Sequence, residues 1–323
     1  MKKTKGRVLI TGIAGFSGSY LAELLHNKGY QIYGLLAPGE RVDNIRHIKN
    51  DINLDRLDIT KADKIKAYIK NVKPKYLFHL AAMASVGQSF KKERLTYDVN
   101  FNGSLNVLES SVAVLKHLRR LVVISSADCY GAFKPVNKLL TEDQPFAPIS
   151  PYGISKAALE HLTQYYVRQY RLPAVVARPF NHTGPRQSDS FVVPSFCKQI
   201  AVLEKSRKKP IMKVGNLEVK RDLSDVRDIV QGYYKMAIRG KSGEVYQLSS
   251  GQSVSIRVVL DILLKMSTKK IKVIKDKSRF RKADIPILRG DNSKAGKELG
   301  WSPEYTLSGT LKDTLDFWRD KKR

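Results

Sequence analysis

Apolar positions in the first 180 residues fall into two alternating periods. Short runs rich in β-branched residues read as strands: Arg7-Val8-Leu9-Ile10, Gln31–Leu36, Tyr76–Leu80, Leu121–Ser125, and Ala174–Ala177 after Pro173. Between them the spacing turns helical. Tyr20, Leu21, Leu24 and Leu25 share one face of a helix from Gly18 to about Lys28. Further helices are predicted near 62–71, 96–117 and 152–170. Strands this continuously apolar must be covered on both faces, which predicts an α/β fold, a doubly wound parallel sheet of the Rossmann type.

After Phe180 the regularity breaks. Asn181 to Ser190 is polar and rich in turn formers, with short helices expected near 194–204 and 225–238. Glu244–Ser249 reads as a strand returning to the main sheet. A helix, a strand near 270–275 and a terminal helix around Leu307–Trp318 complete the chain. No repeat or low-complexity linker separates these parts. The expectation is a dinucleotide-binding unit of residues 1–180 plus about 225–250, and a smaller C-terminal substrate unit, 181–224 and 251–323, interwoven with it.

The composition is that of a chain with a proper core: 323 residues, 42% hydrophobic and 9% aromatic, which excludes wholesale disorder. No apolar run approaches the ~18 residues of a membrane span. The basic Met1–Lys5 is followed by only about four apolar residues before a glycine turn, a strand rather than a signal peptide. Two cysteines, Cys129 and Cys197, are too few for a disulfide framework or a zinc site, so a reduced, cytoplasmic protein without a metal is expected. Fifty-eight Lys and Arg against 30 Asp and Glu give +28, a field that favours anionic partners. The cations are spread along the chain, and Arg207–Lys209 and Lys321–Arg323 read as solvated faces. No nucleic-acid module is visible, so neither nucleic acid nor membrane is the expected partner.

Candidate chemistry begins at Thr11-Gly12-Ile13-Ala14-Gly15-Phe16-Ser17-Gly18, between the first strand and the first helix. One glycine allows the tight turn, one lets backbone approach a diphosphate, and one lets helix and strand pack closely. The helix N-terminus, with Phe16 and Ser17, offers unpaired N–H groups to the phosphates. At the end of the second strand there is no acid until Glu40, and Arg41 is placed to reach a 2′-phosphate. NADP(H) is therefore expected in preference to NAD(H). Asp58 and Ile59 are candidates for adenine, with a helix N-cap role as the other reading of Asp58. Tyr152 and Lys156, four apart, share a helical face, where an ammonium favours the phenolate and makes Tyr152 a usable acid or base. Ser126 follows a buried strand at the carboxyl edge of the sheet, where its hydroxyl can bond the same substrate oxygen, or merely cap the strand.

Together the glycine loop, Ser126 and Tyr152-x-x-x-Lys156 resemble the extended short-chain dehydrogenase/reductase superfamily, over essentially the whole chain. His79-Leu80-Ala81-Ala82 fits as a wall beside the cofactor. Arg178-Pro179-Phe180-Asn181-His182-Thr183-Gly184-Pro185 resembles the turn from sheet to substrate unit in its GDP-mannose-type enzymes, and Gly215–Asp222 their diphosphate-binding stretch. Gly290-Asp291 and Leu299-Gly300-Trp301-Ser302-Pro303 are similar to a further shared feature. The resemblance implies a GDP-sugar substrate, with Asn181, Arg221 and Arg281 on its diphosphate, since guanidinium forks suit phosphate oxygens. Arg281-Lys282-Ala283-Asp284 departs from the Arg-Pro-x-Glu of that group.

The resemblance also frames the reaction. A 4,6-dehydratase carries Glu two residues after the active-site hydroxyl, to take the C5 proton. Here Asp128 stands there, one methylene shorter, and reach decides proton abstraction. Ser85 fits the reductase pattern, where a dehydratase carries His. The expected activity is NAD(P)H-dependent reduction of the 4-keto group of a GDP-4-keto-6-deoxyhexose, as in GDP-rhamnose synthesis. A GDP-mannose 4,6-dehydratase and a nucleotide-sugar 4-epimerase holding NAD are the alternatives. By the same resemblance, helices 96–117 and 152–170 pair across a homodimer axis.

Overall fold

A computed structural model of the chain describes residues 4–132, 139–280 and 285–321. The chain runs β1 (Arg7–Thr11), α1 (Phe16–Asn27), β2 (Gln31–Leu36), β3 (Asn53–Arg56), α2 (Ala62–Val72) and β4 (Tyr76–His79). Next come α3 (Val86–Ser89), α4 (Glu93–Tyr97), α5 (Gly103–Val112), β5 (Arg120–Ile124), α6 (Pro151–Tyr170), β6 (Ala174–Pro179) and β7 (Asn181–Thr183). The remainder is α7 (Val192–Lys205), β8 (Ile211–Val214), β9 (Lys220–Asp225), α8 (Val226–Arg239), β10 (Val245–Leu248), β11 (Ser253–Ser255), α9 (Ile256–Lys265), β12 (Lys272–Lys275) and α10 (Leu307–Asp320).

Seven parallel strands form the main sheet in the order β10-β6-β5-β4-β1-β2-β3. The connection reverses direction between β1 and β4, which opens a crevice at their carboxyl ends, where doubly wound sheets bind ligands. Alternation along each strand supplies two cores. Val8, Ile10, Ile32, Val122 and Val175 face α1 and α8, with Leu21, Leu25, Ile229 and Tyr233 opposite them. Leu9, Leu35, Leu77, Leu121 and Val123 face the other way, onto Ile65, Ile69, Val107 and Leu159. Burial of each such side chain contributes about 1.5–3 kcal/mol, so both sheet faces are tied to helices, as the unbroken apolar strands require. Within the C-terminal part, α7, α9 and α10 close a third core around Phe196, Ile200, Met212, Leu260 and Leu311.

Two predicted elements differ from what is found. The helix expected over 96–117 starts at Glu93, widens into a π turn over Asp98–Asn102, and ends at Val112. The cause is Asn100, fully buried in that turn. Its amide accepts from Met83 N at 2.8 Å and donates to Met83 O at 3.2 Å and to Ser155 Oγ at 3.0 Å. Secondly, the polar stretch after Phe180 contains a strand. β7 pairs with β9, and β9 with β11, in a small sheet of polar side chains. β10 does return to the main sheet, alongside β6.

Among the described residues no helix is long and apolar enough to cross a membrane, and no group of His, Cys, Asp and Glu is arranged to hold a metal ion.

Candidate active site

The crevice is a cavity of about 830 Å³ above the carboxyl ends of β1, β2, β4, β5 and β6. Its floor is the glycine loop. Gly12 lies at φ +70°, and a Cβ there would come 2.9 Å from Ala81 N. At Gly18 a Cβ would sit 2.2 Å from the Gly12 carbonyl, so any side chain would force loop and helix apart. Gly15 caps α1 with no side-chain bond to the first turn. The N–H groups that open the helix thus face the cavity without intrahelical partners, a ready anion cradle. Gly12, Gly15, Phe16, Ser17 and Gly18 all line it.

Behind this loop Thr11 Oγ1 accepts from Ala81 N at 3.1 Å and bonds His79 Nδ1 at 2.8 Å, while His79 Nε2 meets Ser104 Oγ at 2.8 Å. Burial, then the nearby Lys156 charge, hold the His79 imidazole down at about 3, so it is a neutral strut. It fixes Leu80, Ala81 and Ala82 as the cavity wall. Asp58 and Ile59 line the far end. The Asp58 carboxylate also accepts from Thr60 N at 2.9 Å and Thr60 Oγ1 at 2.8 Å, which hold it below the ordinary carboxylate range; the turn-capping role and the cavity position coexist. Arg41 is not among the lining residues: its Nε binds Asp43 at 2.7 Å and its side chain is 84% exposed.

The reacting groups converge from β5 and α6. Ser150 caps α6 by accepting from Gly153 N at 3.0 Å, with Pro151 in the first turn. That start places Tyr152 and Lys156 on the cavity side, both buried. The Lys156 ammonium donates to the Ile124 carbonyl at 2.7 Å and lies 6.0 Å from the Tyr152 ring centre. Ser126 accepts from Asp128 N at 3.1 Å and donates to Asp128 Oδ2 at 3.0 Å. Ser126 and Asp128 both line the cavity, as does Ser85, which caps α3. The phenol does not behave as the Tyr–Lys spacing alone predicts. Burial first, then the Asp128 charge, push Tyr152 above its ordinary value, and the hydrogen bond with Ser126 only partly opposes them. Burial brings Lys156 down to about 8.

On the substrate side, Asn181 and Arg221 reach the cavity. Asn181 Oδ1 is buried with no hydrogen-bond partner among the described residues. Arg221 donates to the carbonyls of Lys220 at 2.9 Å and Ile285 at 2.6 Å. Arg281 lies outside the described residues.

A family model described as GDP-mannose 4,6 dehydratase matches residues 9–314. The chain belongs to this family. It is an enzyme of the short-chain dehydrogenase/reductase type, with the Rossmann-like sheet of that group. Over 317 residues it is 30% identical to the GDP-6-deoxy-D-mannose reductase of Pseudomonas aeruginosa, covering 98% of each chain. Among solved structures it is similar to RMD from Pseudomonas aeruginosa complexed with NADPH, with TM-score 0.83, 28% identity and 98% and 99% of the two chains covered. It is also similar to the Thermus thermophilus UDP-glucose 4-epimerase complex with NAD, with TM-score 0.86, 27% identity and coverage of 97% and 99%.

Within this family frame, the structure adds residues that sequence reasoning passed over. His182 Nε2 bonds Ser17 Oγ at 2.9 Å, Nδ1 meets the Phe180 carbonyl at 3.0 Å, and the ring stacks on Phe16 at 5.8 Å. Burial lowers its imidazole, so it joins the glycine loop to the start of β7 as a neutral group. Met83, Tyr233 and Leu288 also line the cavity. His182 lies inside the quoted Asn181-His182-Thr183 segment, but its contact with Ser17 spans 165 positions and no local pattern reveals it.

Proposed function

We propose that this enzyme reduces the 4-keto group of a GDP-4-keto-6-deoxyhexose with a nicotinamide dinucleotide. Ser126, Tyr152 and Lys156 do the chemistry, and Asn181, Arg221 and Arg281 hold the sugar nucleotide. The observation that carries this reading is the convergence of the buried Tyr152 phenol, the Ser126 hydroxyl and the Lys156 ammonium on one cavity wall. The cradle at Gly12–Gly18 suits a diphosphate, and Leu80–Ala82 line the same cavity as Tyr152, where a nicotinamide ring would lie. A bound reduced nicotinamide would supply the hydride. Tyr152 would then give its proton to the alkoxide oxygen developing at C4, while the Ser126 hydroxyl, turned from Asp128 to the substrate, donates a hydrogen bond to the same oxygen. Lys156 places a positive charge behind both. A protonated phenol is what a reduction requires at its start, whereas oxidation of a sugar hydroxyl requires the phenolate.

Asp128 supports the dehydratase as a second reading, because a carboxylate does line the cavity two residues after Ser126. Asp128 is, however, one methylene shorter than the Glu that a dehydratase carries there, which shortens its reach to a sugar C–H. The assay that separates the two follows cofactor absorbance. With a GDP-4-keto-6-deoxyhexose the reduced dinucleotide disappears one for one with product. GDP-mannose alone, converted to a 4-keto sugar with no net cofactor use, would show the enzyme to be a dehydratase.

The working unit in this proposal is a cytoplasmic homodimer, with no nucleic-acid or membrane partner. Ile154 and Tyr165 on α6 are 43% and 48% exposed, and Leu95 on the adjoining α4 is 46% exposed, an apolar face suited to a second copy. The Ile154→Glu variant is expected to run as a monomer in light scattering after gel filtration. A wild-type protein of monomer mass would defeat the dimer. Cys129 and Cys197, both buried and free, suit a reducing compartment.

A further inference from the structure

One polar group at the cavity has no part in the reaction as proposed. Tyr233 lies near the middle of α8, at helical spacing from Val226, Ile229 and Val230, on the face that presses against the main sheet. Among the described residues of α8 it alone lines the cavity, and it is 1% exposed. Leu80 and Ile124, at the carboxyl ends of β4 and β5, pack against the same core and line the cavity as well. The Tyr233 hydroxyl makes no hydrogen bond with any described residue. Burial and the neighbouring Tyr152 phenol both push it above the ordinary tyrosine value. Other buried tyrosines here are satisfied: Tyr246 Oη, in the same core, donates to Glu298 at 2.9 Å, and Tyr130 Oη donates to the Thr141 carbonyl at 2.8 Å. A buried hydroxyl without a partner costs free energy, so one that faces a cavity marks a place where a ligand completes the bond.

We infer that the Tyr233 hydroxyl holds the carboxamide of the nicotinamide ring and so sets which face of the ring meets the sugar. The inference rests on the nicotinamide cofactor of the proposed function. α8 packs on α1, the helix that opens at the glycine loop, so Tyr233 enters the cavity from the cofactor side. Asn181 and Arg221, on the substrate side, come instead from β7 and β9. The dinucleotide's diphosphate has the N–H groups of the glycine loop, and its nicotinamide ribose has the Lys156 ammonium. The carboxamide is the polar part that remains, and the wall at Leu80–Ala82 carries no polar side chain to meet it. A phenol suits an amide in both directions, because it can donate to the carbonyl oxygen or accept from the NH₂ group. A bond at the carboxamide also stops the ring from turning about its link to the ribose. Tyr152 handles the proton, and Tyr233 orients the ring beside it.

The test compares the wild type with Tyr233→Phe, without any sugar nucleotide. Each is titrated with whichever of NADH and NADPH the wild type binds more tightly, followed by nicotinamide fluorescence, and with the ADP-ribose portion of the same dinucleotide, followed by calorimetry. The phenyl ring keeps the packing, so only the hydroxyl is lost. Tyr233→Phe is expected to weaken the dinucleotide about five- to tenfold, the loss of one hydrogen bond, and to leave ADP-ribose within about a factor of two. Free of dinucleotide, the variant should melt no lower than the wild type, because the hydroxyl it lacks has no partner among the described residues. An unchanged dinucleotide affinity overturns the inference. An equal loss for ADP-ribose does so too, since it puts the effect on the shape of the cavity. A variant that melts several degrees lower shows that the hydroxyl serves the fold and also overturns it. Each of these results leaves the cofactor assignment standing. A wild type that binds neither dinucleotide overturns that assignment, and this inference with it.

Discussion

Tyr152→Phe lowers turnover by about 10³-fold, within the range of a positioned general acid, and leaves dinucleotide affinity within a factor of two or so of the wild type. The phenyl ring keeps the shape of the buried site, so the loss isolates the proton. Without the phenolic proton the C4 alkoxide must be neutralised by water or by Ser126, an aliphatic alcohol and so a poorer acid than a phenol. Steady-state assays beside cofactor titrations check this, and near-normal turnover in the variant would remove Tyr152 from the chemistry. The pH profile follows from the same groups. Tyr152 stays protonated well above neutrality because burial and Asp128 both raise it. The Lys156 ammonium is lost first, as pH rises through about 8. Reduction should therefore decline on the alkaline side near that value.

Lys156 also carries a stability signature with the opposite sign. Its folded-state value, about 8, lies below the 10.5 of an unfolded lysine, so between those values the unfolded chain binds more protons. Stability contributed by this site therefore rises with pH across that window and is flat below it. At neutral pH the buried ammonium costs on the order of 3 kcal/mol, against about 1–2 kcal/mol from its bond to the Ile124 carbonyl. Lys156→Met should be inactive yet melt no lower than the wild type, and a markedly less stable variant would contradict this. A residue that costs stability is explained by what it does for the phenol and the ribose beside it.

Why these features could or could not be read from the chain follows from how far each contact reaches. Apart from the polar edge strand β3, Asn53–Arg56, the strands of the main sheet were legible because burial on both faces demands unbroken apolar runs such as Val8–Ile10 and Val175–Ala177. The glycine loop and the Tyr152–Lys156 pair were legible because each lies within one element and its spacing is its geometry. β7, β9 and β11 were not, since their side chains are largely polar and bond to turns distant in sequence. Asp222, for example, accepts from the N–H groups of Ser250, Gly251 and Gly290. The π turn at Asn100 depends on the Met83 backbone, and the outward course of Arg41 on a turn two residues earlier. The sign of the Tyr152 shift was hidden for another reason: spacing shows which charge is near, but not how much water is gone.

The Glu160–Arg178 pair gives the largest expected loss of stability. Arg178 Nε and Nη2 donate to the two Glu160 oxygens at 3.0 and 2.6 Å, and both side chains are 3% exposed. Ser125 also donates to Glu160, and Arg178 Nη1 donates to Tyr130 Oη and, at 3.0 Å, to the Glu142 carbonyl. The guanidinium is further flanked by the rings of Tyr130 and Phe146, at 4.8 and 4.9 Å. Removing one partner strands a buried charge, so Arg178→Met should cost about 3–5 kcal/mol, and Arg178→Lys nearly as much because an ammonium cannot make the fork. Replacing both, as Glu160→Leu with Arg178→Met, should recover a large part of that loss, since an apolar pair leaves no stranded charge. Urea midpoints for the single and double variants measure the coupling. Additive losses would mean that the two groups do not act as a pair. The double variant still lacks the anchor for Ser125, which neighbours Ser126 at the end of β5. Its refolded stability should therefore come with a lower kcat at nearly unchanged dinucleotide affinity, separating the structural role of the ion pair from its role in aiming the active-site hydroxyl.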